Sequence, residues 1–338
     1  MRFSIFSVLD HHPSLPRDLA TFYRETLEQC VLADELGFEQ FWIAEHHFHE
    51  YGAVPNPAVF LAAAAARTRR IKLGPAISVL PFRDPLLVAE DYALVDQLSG
   101  GRLVMGVGSG YLKHEFEAFR VAAEEKRGRF DEALEILKRA WSGEPVTFHG
   151  RFHDIDQVAL NLTPLQDPCP PIYVAVLRAE AAYFVGKQGN RLMTVPYVSV
   201  DRMAGIGELV SDFTRGYGES GAPPVADPML VALHTHVAET DALVRERAAQ
   251  AFDLYVATRL YAKRQVYDDV LKSRLGLLGS VEAVADQLIE LHRLGVRHVL
   301  MLMNFGAISA AHVEQSMRLI AGEVVPRVNQ RLARAPAA

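Results

Sequence analysis

Eight short runs of β-forming apolar residues recur along the 338-residue chain, near 3–9, 38–44, 71–80, 103–107, 172–176, 191–195, 229–237 and 298–303. A stretch with helical periodicity follows nearly every one. Parallel neighbours in a sheet need a crossover connection, and a helix is the usual one, so this order predicts a parallel sheet covered by helices. An open doubly wound sheet shares the alternation, but a count of eight selects the closed (β/α)8 TIM barrel. Asn56-Pro57 and Asp84-Pro85 each put a capping side chain before a proline at the first helical position, and Ser99-Gly100-Gly101 ends the second of these helices. One domain over 1–332 is expected, with a frayed tail over 333–338.

Two segments break the rhythm, and long connections in compact domains tend to carry function. An insertion before strand five, 142–171, holds Phe148-His149-Gly150-Arg151-Phe152-His153, which reads as a small hairpin before a proline-rich stretch. A charged segment over 255–279, after the helix of the seventh unit, is expected to form a mobile loop or lid and to supply substrate contacts.

Composition excludes several classes. There are 35 Lys and Arg against 41 Asp and Glu, a net charge of −6, with no basic tract suited to a nucleic-acid backbone. Two cysteines, Cys30 and Cys169, are too few for a disulfide scaffold or a thiolate metal site, which points to a reducing cytoplasm. No apolar run approaches a membrane span, and the N-terminus enters a strand pattern directly, so no export signal is expected.

In a barrel the chemistry sits at the C-terminal ends of the strands. Strand two runs into Glu45-His46-His47-Phe48-His49-Glu50-Tyr51-Gly52, a dense group of titratable side chains. A histidine there can exchange a proton near neutrality, with a carboxylate setting its tautomer. The same residues could instead hydrogen-bond loop backbone. A zinc site from His47, His49 and Asp10 or His12 lacks any zincin-type helix spacing. Strand four ends in Gly106-Val107-Gly108-Ser109-Gly110-Tyr111, a turn that allows close approach of an anion or a flat ring. Tyrosine at 111 breaks the dinucleotide fingerprint, so no NAD(P) signature is present. Strand five delivers Leu177-Arg178 to the start of a helix, where guanidinium and helix dipole could hold a phosphate. Strand eight delivers Asn304-Phe305-Gly306 to the same rim. His234 and His236 alternate on strand seven and could face the interior. Glu90, Asp91, Asp96 and Arg102 read as structural ion pairs in the lower half of the barrel.

The segments 45–52, Val79-Leu80-Pro81, Ala89-Glu90-Asp91, 94–102 and 106–111 together resemble the bacterial luciferase-like flavin oxidoreductases. Asn304-Phe305-Gly306, Ser316-Met317-Arg318-Leu319 and Val324-Val325-Pro326 extend the resemblance to the C-terminus, in its FMN-using branch. It implies a barrel binding reduced FMN at its mouth, with O2 and a small organic substrate meeting there, and a separate reductase supplying FMNH2. By the same resemblance His46 assists the chemistry, with Glu45 and His47 beside it. Ala76-Ile77 matches the place of a non-prolyl cis peptide against the flavin. The cofactor contacts would be Ala76, Ile77, Gly108, Ser109, Gly110, Tyr111, Leu177 and Arg178.

Two departures stand out. Ser109 replaces the arginine that luciferase uses for the flavin phosphate, and Leu177-Arg178 replaces a Glu-Ser pair. The expectation is that Arg178 takes over the phosphate. A monooxygenase is the leading reading. An F420-dependent reductase or dehydrogenase, a non-catalytic flavin-binding protein and a metal-dependent hydrolase follow. A homodimer is expected through the helices beside strands two and three, where 60–66 presents small residues.

Overall fold

The computed structural model describes residues 1–50, 52–259 and 265–334. Its eight barrel strands are Arg2–Ser7, Gln40–Ile43, Lys72–Pro75, Met105–Gly108, Ile172–Val176, Arg191–Thr194, Met229–Ala238 and His298–Asn304. All neighbours pair in parallel, in the order three, two, one, eight, seven, six, five, four. Strand three resumes as Ser78–Val79 and pairs there with Val107 and Gly108. With a bridge from Leu73 to Leu103, this closes the barrel. The chain is therefore a TIM barrel.

The interior is filled by side chains. Trp42 on strand two is fully buried, donates to Gln40 Oε1 at 2.9 Å and meets Tyr173 edge-on. Close backbone approach, with the Trp42 ring behind it, accounts for one glycine on each of strands three and four. A Cβ on Gly74 would stand 2.3 Å from the Val104 carbonyl oxygen and 2.7 Å from the Trp42 ring, and one on Gly106 would stand 2.3 Å from the Pro75 carbonyl oxygen. A large residue in a close-packed core needs small neighbours in the same layer.

The predicted caps are present: the Asn56 and Asp84 side chains accept from the first turns of Pro57–Arg67 and Pro85–Ser99, and Gly100 ends the latter in the left-handed region. The hairpin also forms, Val146–His149 against Asp154–Val158. Other expectations are corrected. Strand three is interrupted at the cis peptide Ala76-Ile77. The segment 255–279 is not a structureless lid. Residues 255–258 complete helix Asp241–Thr258, Tyr267–Ser273 is a helix, and Gly276–Ser280 pairs in parallel with strand seven. Leu275 and Leu277 are fully buried, which explains the ordering; 260–264 lie outside the described residues. Of the residues expected to fray, 333 and 334 belong to helix Val325–Arg334, and 335–338 lie outside the described residues.

Asp96 and Arg102 are structural, yet not as an ion pair. Asp96 accepts from the backbone of Leu103, Leu165 and Gln166, while Arg102 donates to the carbonyls of Ser99 and Ile71 and to Thr68. Both satisfy backbone groups that the barrel's turns would otherwise leave without partners. No described helix is long and apolar enough to cross a membrane.

Candidate active site

A cavity of about 700 Å³ opens at the C-terminal mouth of the strands. That volume lies within the range of ligand and cofactor sites. Ten of the eleven residues singled out from the sequence line it: Glu45, His46, Ala76, Ile77, Gly108, Ser109, Gly110, Tyr111, Leu177 and Arg178. His47 does not. It turns away and packs edge-on against Phe119, with centroids 4.8 Å apart, while its Nε2 lies 3.2 Å from Glu45 Oε1.

Among the described residues, His46 is the one histidine lining the cavity. Its main-chain N–H donates to the Val54 carbonyl at 3.2 Å, and Gly52 backs its ring so closely that a Cβ there would lie 2.4 Å from His46 Cδ2. Gly52 also has φ +76°, which favours glycine. Tyr111 meets the His46 ring at right angles. On the far side stands Glu115, from helix Lys113–Phe119, only 2 % exposed. Its Oε1 lies 3.4 Å from His46 Nδ1, a long contact, and accepts the His47 main-chain N–H at 2.9 Å. One carboxylate thus fixes both the ring and the loop that carries it. Burial pushes the His46 pKa down, Glu115 pulls it back up in part, and the net shift is downward. The neutral imidazole is therefore the form present at neutral pH.

Glu115 was missed in the sequence because it lies in an ordinary-looking amphipathic helix. Its signal is position, three residues into the helix that leaves the glycine-rich turn at the barrel mouth. Three cationic or paired groups were missed as well. Lys126 and Arg127, from the start of helix Lys126–Ala140, line the cavity, and so does Arg259, which is ion-paired with Asp10.

Arg178 is exposed at the rim and lines both the main cavity and an adjoining open groove formed with Phe184, Val198 and Ser199. The following helix, Ala181–Lys187, has seven residues, and Glu180 sits at its cap. Two turns carry little macrodipole and the cap is acidic, so anion attraction here falls to the guanidinium and not to the helix end. The cis peptide Ala76-Ile77 lies where the resemblance places it. His234 and His236 are fully buried; His234 sits among Tyr197, Phe252, Tyr255 and Phe305 and does not line the cavity. Asn304 and Phe305 are buried and also lie behind the cavity wall. Among the described residues, no group of three or more His, Cys, Asp or Glu is arranged to hold a metal ion.

The family profile described as luciferase-like monooxygenase matches residues 1–298. The chain belongs to this family. Among solved structures it is similar to the monooxygenase RslO1 from Streptomyces bottropensis, with a TM-score of 0.88, 30% identity, and 96% of this chain and 99% of that one covered. It shares its fold with the FMN-bound oxygenating constituent of 3,6-diketocamphane monooxygenase of Pseudomonas putida, with a TM-score of 0.83, 21% identity, and 97% and 99% covered. Among curated relatives, the oxygenase component of the flavin-dependent trigonelline monooxygenase of Acinetobacter baylyi is 28% identical over 274 residues, covering 79% of this chain and 74% of that one. An F420-dependent glucose-6-phosphate dehydrogenase of Microbacterium testaceum is 26% identical over 326 residues, covering 91% and 94%. Relatives named for flavin and relatives named for F420 thus both match this chain.

Proposed function

We propose that the protein is an FMNH2-dependent monooxygenase that transfers one oxygen atom of O2 to a small organic substrate. One observation carries this reading: a single cavity gathers the glycine-rich turn, Ala76-Ile77 and Arg178 on one side and a neutral, carboxylate-positioned His46 beside them. The residues present fit the cofactor. Gly108 leaves room against the Ile77 side chain, where a Cβ would stand 2.1 Å from Cδ1, so this wall stays thin and flat for a ring. Arg178, Lys126 and Arg127 supply cations for a phosphate, making good the absence of an arginine at Ser109. Reduced FMN, when bound, supplies the two electrons that convert substrate and O2 into oxygenated product and water. The chain's own residues hold it, exclude solvent and place His46 to accept or return a proton.

The oxygenase-component name of the trigonelline relative and the broken dinucleotide fingerprint both favour a separate flavin reductase as the source of FMNH2. The F420-dependent relatives support a second reading, a deazaflavin-dependent reductase or dehydrogenase. Anaerobic titration with FMNH2 and with reduced F420, followed by O2 and product analysis, separates the two. Tight FMNH2 binding with oxygenated product supports the monooxygenase, and binding of F420 alone would move the protein to the other branch.

Two variants test the assignments of residues. Arg178→Ala is expected to weaken FMN binding by about 10-fold or more, the worth of a charge-assisted contact, while riboflavin, which lacks the phosphate, binds as before; equal FMN affinity in parent and variant would remove Arg178 from the phosphate site. In Glu115→Gln the larger of the two influences that raise the His46 pKa is gone and only that of Asp10 remains, so that pKa falls further. If neutral His46 is the working form, activity is lost as pH drops below its pKa, and the acid limb of kcat/KM moves to lower pH in the variant. An unmoved limb would mean that Glu115 only holds the loop.

We also propose a cytoplasmic homodimer. Val59 on helix Pro57–Arg67 and Leu87, Leu94 and Leu98 on the adjacent helix Pro85–Ser99 are all at least half exposed, and they form an apolar face beside strands two and three. Leu94→Asp is expected to shift the mass measured by analytical ultracentrifugation from dimer to monomer, and a monomeric parent would overturn the proposal.

A further inference from the structure

Among the described residues, one sulfur lies on the wall of the cavity. Met193, on strand six, is in register with Ala175 of strand five, and both line the cavity. Met193 therefore adjoins the strand that delivers Leu177 and Arg178. The chain has eight methionines. Met105, Met203, Met301, Met303 and Met317 are buried, and none of them lines the cavity. Met229 is the informative contrast. At 8 % exposure it is more open than Met193 at 4 %, but it lines a separate crevice of about 180 Å³ with Asp227 and Arg297, at the start of strand seven and so at the opposite end of the barrel. Neither Cys30 nor Cys169 lines the cavity, and burial pushes both thiol pKa values up.

A thioether reacts with hydrogen peroxide as it stands, whereas a thiol reacts through its thiolate, which burial suppresses at both cysteines. The flavin reading supplies that oxidant inside the cavity. When reduced FMN meets O2 with no substrate in place, two electrons and two protons pass to O2, leaving oxidised FMN and hydrogen peroxide. The peroxide gives one oxygen atom to the Met193 sulfur: an S–O bond forms, the O–O bond breaks, water leaves, and the sulfur is oxidised by two electrons. The product is a sulfoxide, which turns a flexible apolar side chain into a polar one. Its oxygen is an acceptor set near the side chains of Ala175 and Ala232, which have nothing to donate.

We propose that Met193 is a redox modification site through which the protein limits its own cofactor binding. Peroxide released in the cavity converts Met193 to its sulfoxide, the wall beside the cofactor becomes polar, and FMN is held less tightly until the sulfur is reduced again. The inference rests on the flavin reading, which is the source of the peroxide. An oxygenase without substrate turns reduced flavin into peroxide at every turn, and loss of the cofactor site stops this. Methionine sulfoxide is also enzymatically reducible, so the block is reversible.

The test exposes the whole protein to FMNH2 and O2 without substrate, with catalase present to destroy peroxide that reaches the bulk, and maps sulfoxides by peptide mass spectrometry. Flavin-free protein given hydrogen peroxide directly, without catalase, calibrates the intrinsic reactivity of the sulfurs. The ratio of Met193 to Met229 sulfoxide is expected to be higher with FMNH2 and O2 than with added peroxide. The oxidised parent is expected to bind FMN about 10-fold more weakly than before treatment, the cost of an acceptor left without a donor, and methionine sulfoxide reductase is expected to restore the affinity. In Met193→Leu, a swap of similar volume, the same treatment is expected to leave FMN affinity where it was. An equal ratio under the two treatments overturns the proposal, as does an affinity that falls as much in Met193→Leu as in the parent. A parent that binds no FMN at all sinks the flavin reading instead, and the peroxide source named here falls with it.

Discussion

Replacing His46 by alanine is expected to lower product formation by about 10²- to 10⁴-fold, the usual contribution of a positioned proton-transfer group, while FMN binding stays close to that of the parent. The two readouts separate because the groups do. His46 comes from strand two, whereas the cofactor wall is built from strands three to five. Its state favours the role: burial holds the imidazole neutral at working pH, and Glu115 faces Nδ1. Gly52→Ala offers a second route to the same question. Its Cβ would lie within 2.4–2.7 Å of three His46 atoms, so His46 must move while keeping its chemistry. A smaller loss of turnover is expected there. His47→Ala serves as the contrast, because His47 packs against Phe119 and Glu45 outside the cavity, and it should cost stability more than turnover. Unchanged turnover in His46→Ala would refute the assignment, whatever the other two variants do.

The strands of the barrel were legible because each carries its own apolar run, and the cofactor wall was legible because its residues follow strands three, four and five directly. His47 shows where that reasoning stops. Adjacent side chains in extended backbone diverge, so a His-His pair cannot send both rings into one cavity, and the sequence does not say which one turns inward. Glu115 and the Asp10–Arg259 pair were hidden for a different reason. Their partners lie 69 and 249 positions away, and only closure of the barrel brings them together. The segment over 255–279 misled through its charges. Leu277, in a further strand, and Leu275, just before it, are core residues, and the polar residues around them belong to the surface of the short helix that precedes the strand.

Acidification is expected to destabilise the fold well before its carboxylates titrate. Three histidines are fully buried in the structure, and burial lowers their pKa values to about 3 for His234, about 4 for His236 and about 3 for His298. Arg259 adds to the effect at His234, and Arg247 and His312 add to it at His236. At His298 the charges of Arg2, Lys72 and the N-terminus act in the same direction. Asp227 approaches His298 Nδ1 to 3.9 Å, but its carboxylate is already engaged by Arg2 at 2.6 Å. In the unfolded chain each histidine titrates near its ordinary value of about 6.5. Between that value and the folded one, the unfolded state binds more protons, so stability rises with pH across this window. The stability is complete above about pH 6.5 and is lost as pH falls through that value towards 4. By linkage, each histidine accounts for ~2 kcal/mol between pH 7 and 5, or about 6 kcal/mol for the three. That is a large share of the 5–15 kcal/mol typical of a folded domain. Urea unfolding at pH 7 and pH 5 measures the difference directly. His234→Leu removes one titrating group from an aromatic pocket in which neither ring nitrogen has a hydrogen-bond partner, so the pH-dependent loss should shrink by ~2 kcal/mol in that variant. Equal stability of the parent at the two pH values would mean that these histidines reach water or a counter-charge in solution, and the packing described around them would be wrong.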